Sequence, residues 1–232
     1  MSLSRPGVVL AVLTGLNGLN YLDRYVAAAT LPLILADLAL SDTAGGLLQS
    51  AFIITYSLAC PVAGWLGDRQ PRMRLAAAGV LVWSLATVAS GLAPTYALLL
   101  VARAVIGVGE ASYAVVTPSL LSDCYPPARR AGVLGIFYAA IPVGTALGYV
   151  LGGLVGEAFG WRAAFFVAGA PGALLAFLLT RLPEPQRGAL DPPGAGNAAP
   201  VGIGASLRAL AARRSYVVNT AAQVIYTFAM GG

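Results

Sequence analysis

Six long, mostly apolar stretches follow one another along the first 180 residues of the chain, and a seventh begins at Tyr216. A helix needs about 20 predominantly apolar residues to cross the hydrocarbon core of a bilayer. The chain is 58% hydrophobic and 10% charged, whereas a soluble domain is about 25% charged. The polar residues are too few to cover a water-soluble surface, so the sequence predicts an all-α membrane protein. The six predicted spans are 7–36, 44–66, 75–92, 96–121, 131–156 and 161–180.

The arginines set the predicted orientation of these spans. All fourteen basic residues are arginine, and most lie between the apolar stretches rather than in one patch, which argues against nucleic-acid binding. With the amino terminus inside, eleven arginines fall on the cytoplasmic side and only Arg162 falls outside. Cytoplasmic loops carry the excess of basic residues, so we expect a cytoplasmic amino terminus. The alanine-rich, lysine-free composition is typical of a GC-rich bacterial genome, and we expect a bacterial inner-membrane protein.

The predicted spans divide the chain into three parts. We expect residues 1–181 to form a six-helix transmembrane bundle, built from two three-helix inverted repeats. Residues 182–214 are rich in proline and glycine and predict a flexible cytoplasmic linker, with a short surface helix around 206–214. Residues 215–232 are interpreted as an incomplete seventh transmembrane helix. We therefore expect the chain to be the amino-terminal half of a longer protein.

Four charged residues lie inside predicted spans. Asp23 and Arg24 are in the first span, and Arg103 and Glu110 are in the fourth. Each such group costs about 2.5–3.5 kcal/mol at the centre of a membrane helix, and intramembrane ionisable groups usually mark substrate or ion pathways. We interpret Asp23 and Glu110 as proton-coupling groups, with Arg24 and Arg103 as ligands of an anionic substrate group. The alternative is a set of buried ion pairs that only orders the bundle.

Polar and aromatic neighbours extend this predicted site. Asn20 and Tyr21 share a face of the first helix with Arg24, and Tyr113 lies in the fourth span. We expect these three residues to contribute to substrate binding, although aromatic packing explains tyrosines in a bundle equally well. The chain has no histidine, and Cys60 and Cys124 show no metal-type spacing. No metal or cofactor site is expected.

Glycines recur at every fourth position of the fifth predicted span. Small residues at this spacing let two helix backbones approach closely. The pattern therefore predicts tight helix packing, and in a moving protein the same ridge could serve as a sliding surface. The four residues are Gly144, Gly148, Gly152 and Gly156.

The loop after the second span carries charged residues at its edges. Asp68 lies at the end of a helix, where a carboxylate opposes the helix dipole. Such an acid needs a partner, either Arg72 or the amino end of another helix. We expect Asp68 and Arg72 to act as a cytoplasmic gate by pairing with each other, with a further partner outside this chain.

Several of these motifs resemble those of the major facilitator superfamily. The segment Gly64-Trp-Leu-Gly-Asp68-Arg-Gln-Pro71-Arg-Met-Arg74 is similar to its loop signature Gly-x-x-x-Asp-Arg-x-Gly-Arg, except that Pro71 replaces a glycine. Residues 103–110, the glycine ridge and Leu182-Pro-Glu-Pro-Gln-Arg187 are similar to its motifs in helices 4, 5 and 6. Within the superfamily, Asn20-Tyr-Leu-Asp-Arg24 and residues 103–118 resemble the spinster branch.

The resemblance implies a secondary transporter that works by alternating access, with a substrate path between two six-helix bundles and proton coupling. Spinster proteins move sphingolipid-related or lysolipid amphiphiles. The implied partners are a small amphipathic or anionic substrate, protons, membrane lipids and a carboxy-terminal six-helix half. Two alternatives stay open, a porter of a small organic anion and a non-transporting receptor or scaffold. An enzyme is disfavoured, since without histidine no serine–histidine pair can form.

Overall fold

The computed structural model describes residues 6–192 and 202–231, and nine α-helices lie within these two ranges. The first seven are α1 (Pro6–Ala29), α2 (Leu31–Asp37), α3 (Asp42–Arg69), α4 (Arg72–Leu92), α5 (Tyr96–Cys124), α6 (Pro127–Phe159) and α7 (Trp161–Thr180). They belong to one compact unit, Met1–Ala195. The second unit, Gly196–Gly232, contains α8 (Ile203–Ala211) and α9 (Arg214–Gly231).

The first predicted span is divided into two helices. It breaks at Thr30, because Pro32 has no N–H to donate to the carbonyl four residues before it. The break is slight: the Thr30 amide still donates to Val26 over 3.0 Å, and the Ile34 amide donates to Thr30 over 3.1 Å. The predicted span 7–36 is therefore α1 followed by the short helix α2.

Short connections join the long helices, and local capping fixes where they start. The Ser41 hydroxyl accepts from the Ala44 amide at the start of α3, and the Thr95 hydroxyl accepts from the Leu98 amide at the start of α5. Both are N-cap contacts that satisfy amides without a partner in the helix. Gly160, with φ of 84°, separates α6 from α7 in a conformation that a side chain disfavours.

By length and composition, five helices of the described part are long and apolar enough to cross a membrane, namely α3 to α7. The prediction of an all-α protein with several membrane-length helices is confirmed. The six-span count stays a prediction, since α1 is 24 residues long but carries Asp23 and Arg24 among its apolar residues.

Glycines hold the main helix pairs at close range. On α6, a Cβ at Gly144 would collide with the carbonyl of Gly18, and one at Gly148 would lie 2.5 Å from the carbonyl of Leu22. The predicted ridge is therefore a packing surface against α1. On α5, a Cβ at Gly107 would lie 2.6 Å from the carbonyl of Phe52 on α3. A Cβ at Gly109 would lie 2.7 Å from the carbonyl of Gly79 on α4.

The packing pattern has a reciprocal form. The most extensive pairs are α1 with α6, α5 with α3, and α4 with both α5 and α7. When the helices are numbered as the six predicted spans, span 1 (α1) packs on span 5 (α6). In the same way, span 4 (α5) packs on span 2 (α3). This reciprocity agrees with two related three-helix units, and the inverted repeat itself remains a prediction.

The bundle core contains large aromatic side chains and also the side chain of Arg103. Trp83, Tyr113 and Phe165 are fully buried, and Arg103 is 2% exposed. Trp83 and Tyr113 pack edge to face, with ring centroids 5.4 Å apart. A charged group of this size in the core must be held by polar or aromatic partners, and these partners define the site described below.

Residues 182–191, the first part of the predicted linker, contact the end of α3, the start of α4, the end of α5 and the start of α6. These contacts are hydrogen bonds and ion pairs of Glu184, Arg187, Gly188 and Asp191. The flexible linker expected over residues 182–214 stays a prediction, since part of it lies outside the described residues. The short helix predicted around 206–214 is present as α8, and α9 follows it directly.

Candidate functional site

Asp23 is buried in the bundle, on the side of α1 that faces α4. Its carboxylate is 1% exposed, and Oδ2 accepts a hydrogen bond from the Thr87 hydroxyl over 2.5 Å. Oδ1 has no hydrogen-bond partner within the described residues. An ionised carboxylate that is buried without full pairing is costly, and the hydroxyl of Thr87 is the one hydrogen-bond donor that the described residues offer to Asp23.

Arg24, the next residue along α1, turns toward α5 and pairs with Glu110. The Arg24 guanidinium donates to the Glu110 carboxylate, which is completely buried. The guanidinium carbon also lies 4.8 Å from the ring centroid of Tyr21, 4.8 Å from that of Phe52 and 5.3 Å from that of Tyr56. Arginine over an aromatic face gains a cation–π attraction that strengthens with desolvation. Aromatic rings and one carboxylate therefore surround this cation.

The side chain of Arg103 extends from α5 and contacts α3. One of its nitrogens donates to the Gln49 side chain over 3.1 Å, and its guanidinium carbon lies 4.9 Å from the Phe52 ring centroid. Nη1 is buried and has no partner in the described part of the chain. Phe52 is thus shared by two guanidinium groups, and Gly107 lets the backbone of α3 come close enough for this.

The four charged side chains have a net charge of zero and are cross-connected between helices. The acid of α5 pairs with the arginine of α1, while the acid of α1 is held by a neutral hydroxyl of α4. Protonation of either acid would leave the cluster with a net positive charge. The arrangement therefore combines two acids with two guanidinium groups, the residue types that proton exchange and anion binding use in membrane proteins.

A second polar cluster lies at the end of the bundle where α3 ends and α4 begins, and it is centred on Arg72. This side chain is buried, and its Nη1 lies 2.6 Å from Asp123 Oδ2. The Glu184 carboxylate accepts from the backbone amides of Arg72 and Met73, over 3.1 Å and 2.7 Å, at the first turn of α4. Arg187 in turn donates to the carbonyls of Gly67 and Gln70 at the end of α3.

The expected pair of Asp68 and Arg72 is not formed. Arg72 pairs with Asp123 and Glu184, because the start of α4 directs its side chain under the ends of α5 and α7. Asp68 is exposed and has no ion-pair partner among residues 6–192 and 202–231. The pairing was wrong, while a gating role for either residue stays a prediction.

Comparison with known proteins identifies the family. The family model described as "Major Facilitator Superfamily" matches residues 13–232. The chain belongs to the major facilitator superfamily. Members of this family are transporters, so the chain is a multi-pass membrane protein of a transporter family rather than an enzyme.

Relatives within the superfamily confirm the resemblance to the spinster branch. Protein spinster homolog 1 of Homo sapiens is 39% identical over the whole of this chain, which covers 45% of that protein. Sphingosine-1-phosphate transporter SPNS2 of Danio rerio is 36% identical over 97% of this chain and is covered to 46%. The chain therefore spans about half the length of the curated relatives it matches.

A solved structure of the superfamily shares the fold. The crystal structure of a bacterial homologue of the human lysosomal transporter Spinster, in an inward-facing and unoccupied conformation, matches with a TM-score of 0.78 and 32% identity. The match covers 90% of this chain and 49% of that chain. A peptide transporter at 20% identity and a TM-score of 0.68 shares the fold alone.

Two of the residues expected to bind substrate, Asn20 and Tyr113, are buried in the structure. Asn20 is buried at 2% exposure, and its side-chain nitrogen has no partner in the described residues. Tyr113 is fully buried, its hydroxyl donates to the backbone carbonyl of Leu13 over 2.5 Å, and its ring packs against Trp83. In the described residues Tyr113 therefore contributes to the core, and its role in substrate binding stays a prediction.

Three residues of the site were missed from the sequence. Thr87, Gln49 and Phe52 contact Asp23, Arg103 and both arginines respectively. Each is an ordinary residue in an apolar helix and gives no signal by itself. The sequence pointed to Phe52 only indirectly. Gly107 indicates that another helix backbone approaches α5 at this position, and that backbone carries Phe52.

Proposed function

We propose that the full-length protein is a proton-coupled secondary transporter that moves an amphipathic, lipid-like organic substrate by alternating access. The observation that carries this proposal is the buried pair of Arg24 and Glu110, which joins α1 to α5 beside the second buried acid, Asp23. Membership of the superfamily supports it, as does a relative whose name states transport of sphingosine 1-phosphate.

The proton is assigned to Asp23 and Glu110. Binding of a proton to Glu110 removes the negative charge that holds Arg24 and weakens a contact between α1 and α5. Binding to Asp23 relieves the cost of a buried carboxylate. A ligand shifts a conformational equilibrium only by its different affinity for the two states, and here the proton has that property, since it changes a contact between helices.

The substrate is assigned to the guanidinium groups and the aromatic rings beside them. Arg24 Nε and Arg103 Nη1 are buried donors without partners in the described residues. An anionic head group would satisfy them, and Tyr21, Phe52 and the buried Asn20 would form the adjoining wall. A head group with an apolar tail suits a site in which cations and aromatic rings alternate.

Asp68 and Arg72 are assigned to the cytoplasmic gate. The exposed Asp68 at the end of α3 is available to a group outside this chain, while Arg72 anchors the start of α4. Charge-assisted contacts of Asp68 would hold the cytoplasmic side closed. In the full-length protein, Asp68→Asn should therefore shift spin-label distances across this side toward an inward-open population, and unchanged distances would contradict the role.

The membrane is assigned as a bacterial inner membrane, with the amino terminus in the cytoplasm. Arg162 is then the one arginine of the outer loops in the described residues, and its guanidinium pairs with Asp37. Single cysteines introduced at the two ends of α5 and labelled with a membrane-impermeant reagent would test this orientation.

The acids are tested by neutral variants of the full-length protein in vesicles. Asp23→Asn and Glu110→Gln should abolish uptake of sphingosine 1-phosphate driven by a proton gradient, while substrate binding or exchange persists. Arg24→Gln and Arg103→Gln should instead weaken binding of the anionic lipid. If both acid variants keep wild-type uptake with the same pH dependence, the proton assignment is wrong.

A porter of a small organic anion is the second candidate, because the partnerless nitrogens of Arg24 and Arg103 do not require a tail on the substrate. Vesicle uptake of succinate without uptake of sphingosine 1-phosphate would favour it. A receptor or scaffold would move neither substrate and would show no substrate-dependent proton movement.

A further inference from the structure

The Thr87 hydroxyl lies between two acceptors and can donate to only one of them at a time. Its oxygen is 2.5 Å from Asp23 Oδ2 and 3.0 Å from the backbone carbonyl of Trp83. A threonine hydroxyl has one hydrogen and two lone pairs. Whichever acceptor receives the hydrogen, the hydroxyl oxygen keeps the capacity to accept from the other side.

We propose that Thr87 is a positioning residue that holds Asp23 in both protonation states of the carboxyl group. While Asp23 is ionised, the Thr87 hydroxyl donates to its carboxylate. After Asp23 binds a proton, the Thr87 hydroxyl accepts a hydrogen bond from the carboxylic acid and turns its own hydrogen to the Trp83 carbonyl. The inference rests on the proposed function, in which Asp23 binds a proton.

The packing around Thr87 keeps its hydroxyl in place. The side chain is fully buried, and threonine is β-branched, which limits its χ1 rotamers in a helix. On the side of α7, Gly169 lies so close that a Cβ there would be 3.0 Å from the Cβ of Thr87 and 2.9 Å from the carbonyl of Ser84. The hydroxyl can rotate its hydrogen, but the oxygen stays within reach of both acceptors.

The charged surroundings of Asp23 make this neutral partner important. The charged groups that act on it are Glu110 and Arg103 of α5 and the neighbouring Arg24, one acid and two bases. Arg24 is occupied by Glu110, so the direct hydrogen bond comes from α4. As a result, α1 stays joined to α4 through the proton cycle, whereas the contact of α1 with α5 through Glu110 depends on charge.

Two variants separate the hydroxyl from the shape of the side chain. Thr87→Val keeps the volume and removes the hydroxyl, and Thr87→Ser keeps the hydroxyl. The measurement is pH-dependent infrared difference spectroscopy on the purified full-length protein, in which the carboxyl band that disappears in Asp23→Asn is assigned to Asp23. If Thr87→Val does not yield a folded protein, Thr87→Ala is measured in its place.

In Thr87→Val we expect the Asp23 band to move to higher frequency, since the acid loses its acceptor. The midpoint of its appearance should shift by about half to one pH unit toward higher pH, because a hydrogen bond to a carboxylate is stronger than one to a neutral acid. Thr87→Ser should keep the wild-type frequency and midpoint. The same frequency and midpoint in Thr87→Val would overturn the inference alone. A wild-type protein without any Asp23 band would overturn the proton assignment of Asp23 as well.

Discussion

Asp37 joins the end of α2 to the start of α7, at the end of the bundle opposite the Arg72 cluster. Its carboxylate accepts from Arg162 over 2.6 Å and from the Trp161 indole over 3.1 Å. These hydrogen bonds hold the pKa of the Asp37 carboxyl below its ordinary value, and the pair therefore stabilises the fold at neutral pH. This stabilisation is present above about pH 4, the unfolded value, and is lost as pH falls through the lower folded pKa.

Asp37→Asn should accordingly lower the thermal unfolding temperature slightly at pH 7, and the difference from wild type should vanish as pH falls below about 4. Thermal unfolding in detergent from pH 3 to 7 measures this. Glu157→Gln is the control, since it removes an acid near the same end of the bundle that has no ion pair among the described residues. A difference that stays constant across the whole pH range would show that the pair does not act through the charge of Asp37.

At the residue scale, the sequence located the buried charges well and their partners poorly. Asp23, Arg103 and Glu110 stand out because charged residues are rare in apolar helices, and all three are buried. Their neighbours could not be predicted, since Thr87 lies 64 positions from Asp23 and its residue type is common in such helices. The same holds for Arg72: its partner Glu184 is more than a hundred positions away.

At the scale of helices, the glycine ridge of α6 sets the distance to α1. Gly148→Ala would place a methyl group 2.5 Å from the carbonyl of Leu22 and 2.9 Å from the Cβ of Tyr25, so the helices must separate. We expect a loss of about 1–3 kcal/mol in the free energy of unfolding, as is typical of overpacking. Gly153→Ala, on the open side of the same helix with nothing within 4 Å, should be neutral or slightly stabilising. Denaturation in mixed detergent micelles compares the two, and equal losses would contradict the packing role.

The helices show which features can be derived from pattern and which cannot. The apolar lengths predicted α3 to α7, because the hydrocarbon core fixes how many residues a span needs. The glycine spacing predicted a contact surface but not its partner, since a ridge fits any helix with small or exposed backbone groups. The hydrogen bonds that Glu184 and Arg187 make to the bundle could not be derived from the proline-rich segment after α7, because composition reports the backbone preference of a segment and not its contacts.

At the scale of the whole molecule, two long helices leave most of their surface uncovered. In an apolar stretch of 18 residues, only 17% of α3 and 22% of α6 is buried. The relatives in the superfamily are about twice as long as this chain. Since a path that opens alternately to the two sides needs walls that move against each other, we infer that the transport path requires groups beyond residues 1–232.

We therefore expect residues 1–232 alone to fold as a helical bundle but not to move substrate. The buried contacts of α1, α5 and α6 lie inside this chain and need no other partner to form, so circular dichroism and a cooperative thermal transition should be retained. Uptake of sphingosine 1-phosphate into vesicles should stay at the level of empty vesicles, whereas the full-length protein should take it up under a proton gradient. Full-length Asp23→Asn provides the matched control for a folded protein without coupling. Vesicles with residues 1–232 that take up the lipid at the full-length rate would show that one bundle suffices, and the path would then have to lie within α1, α3, α5 and α6.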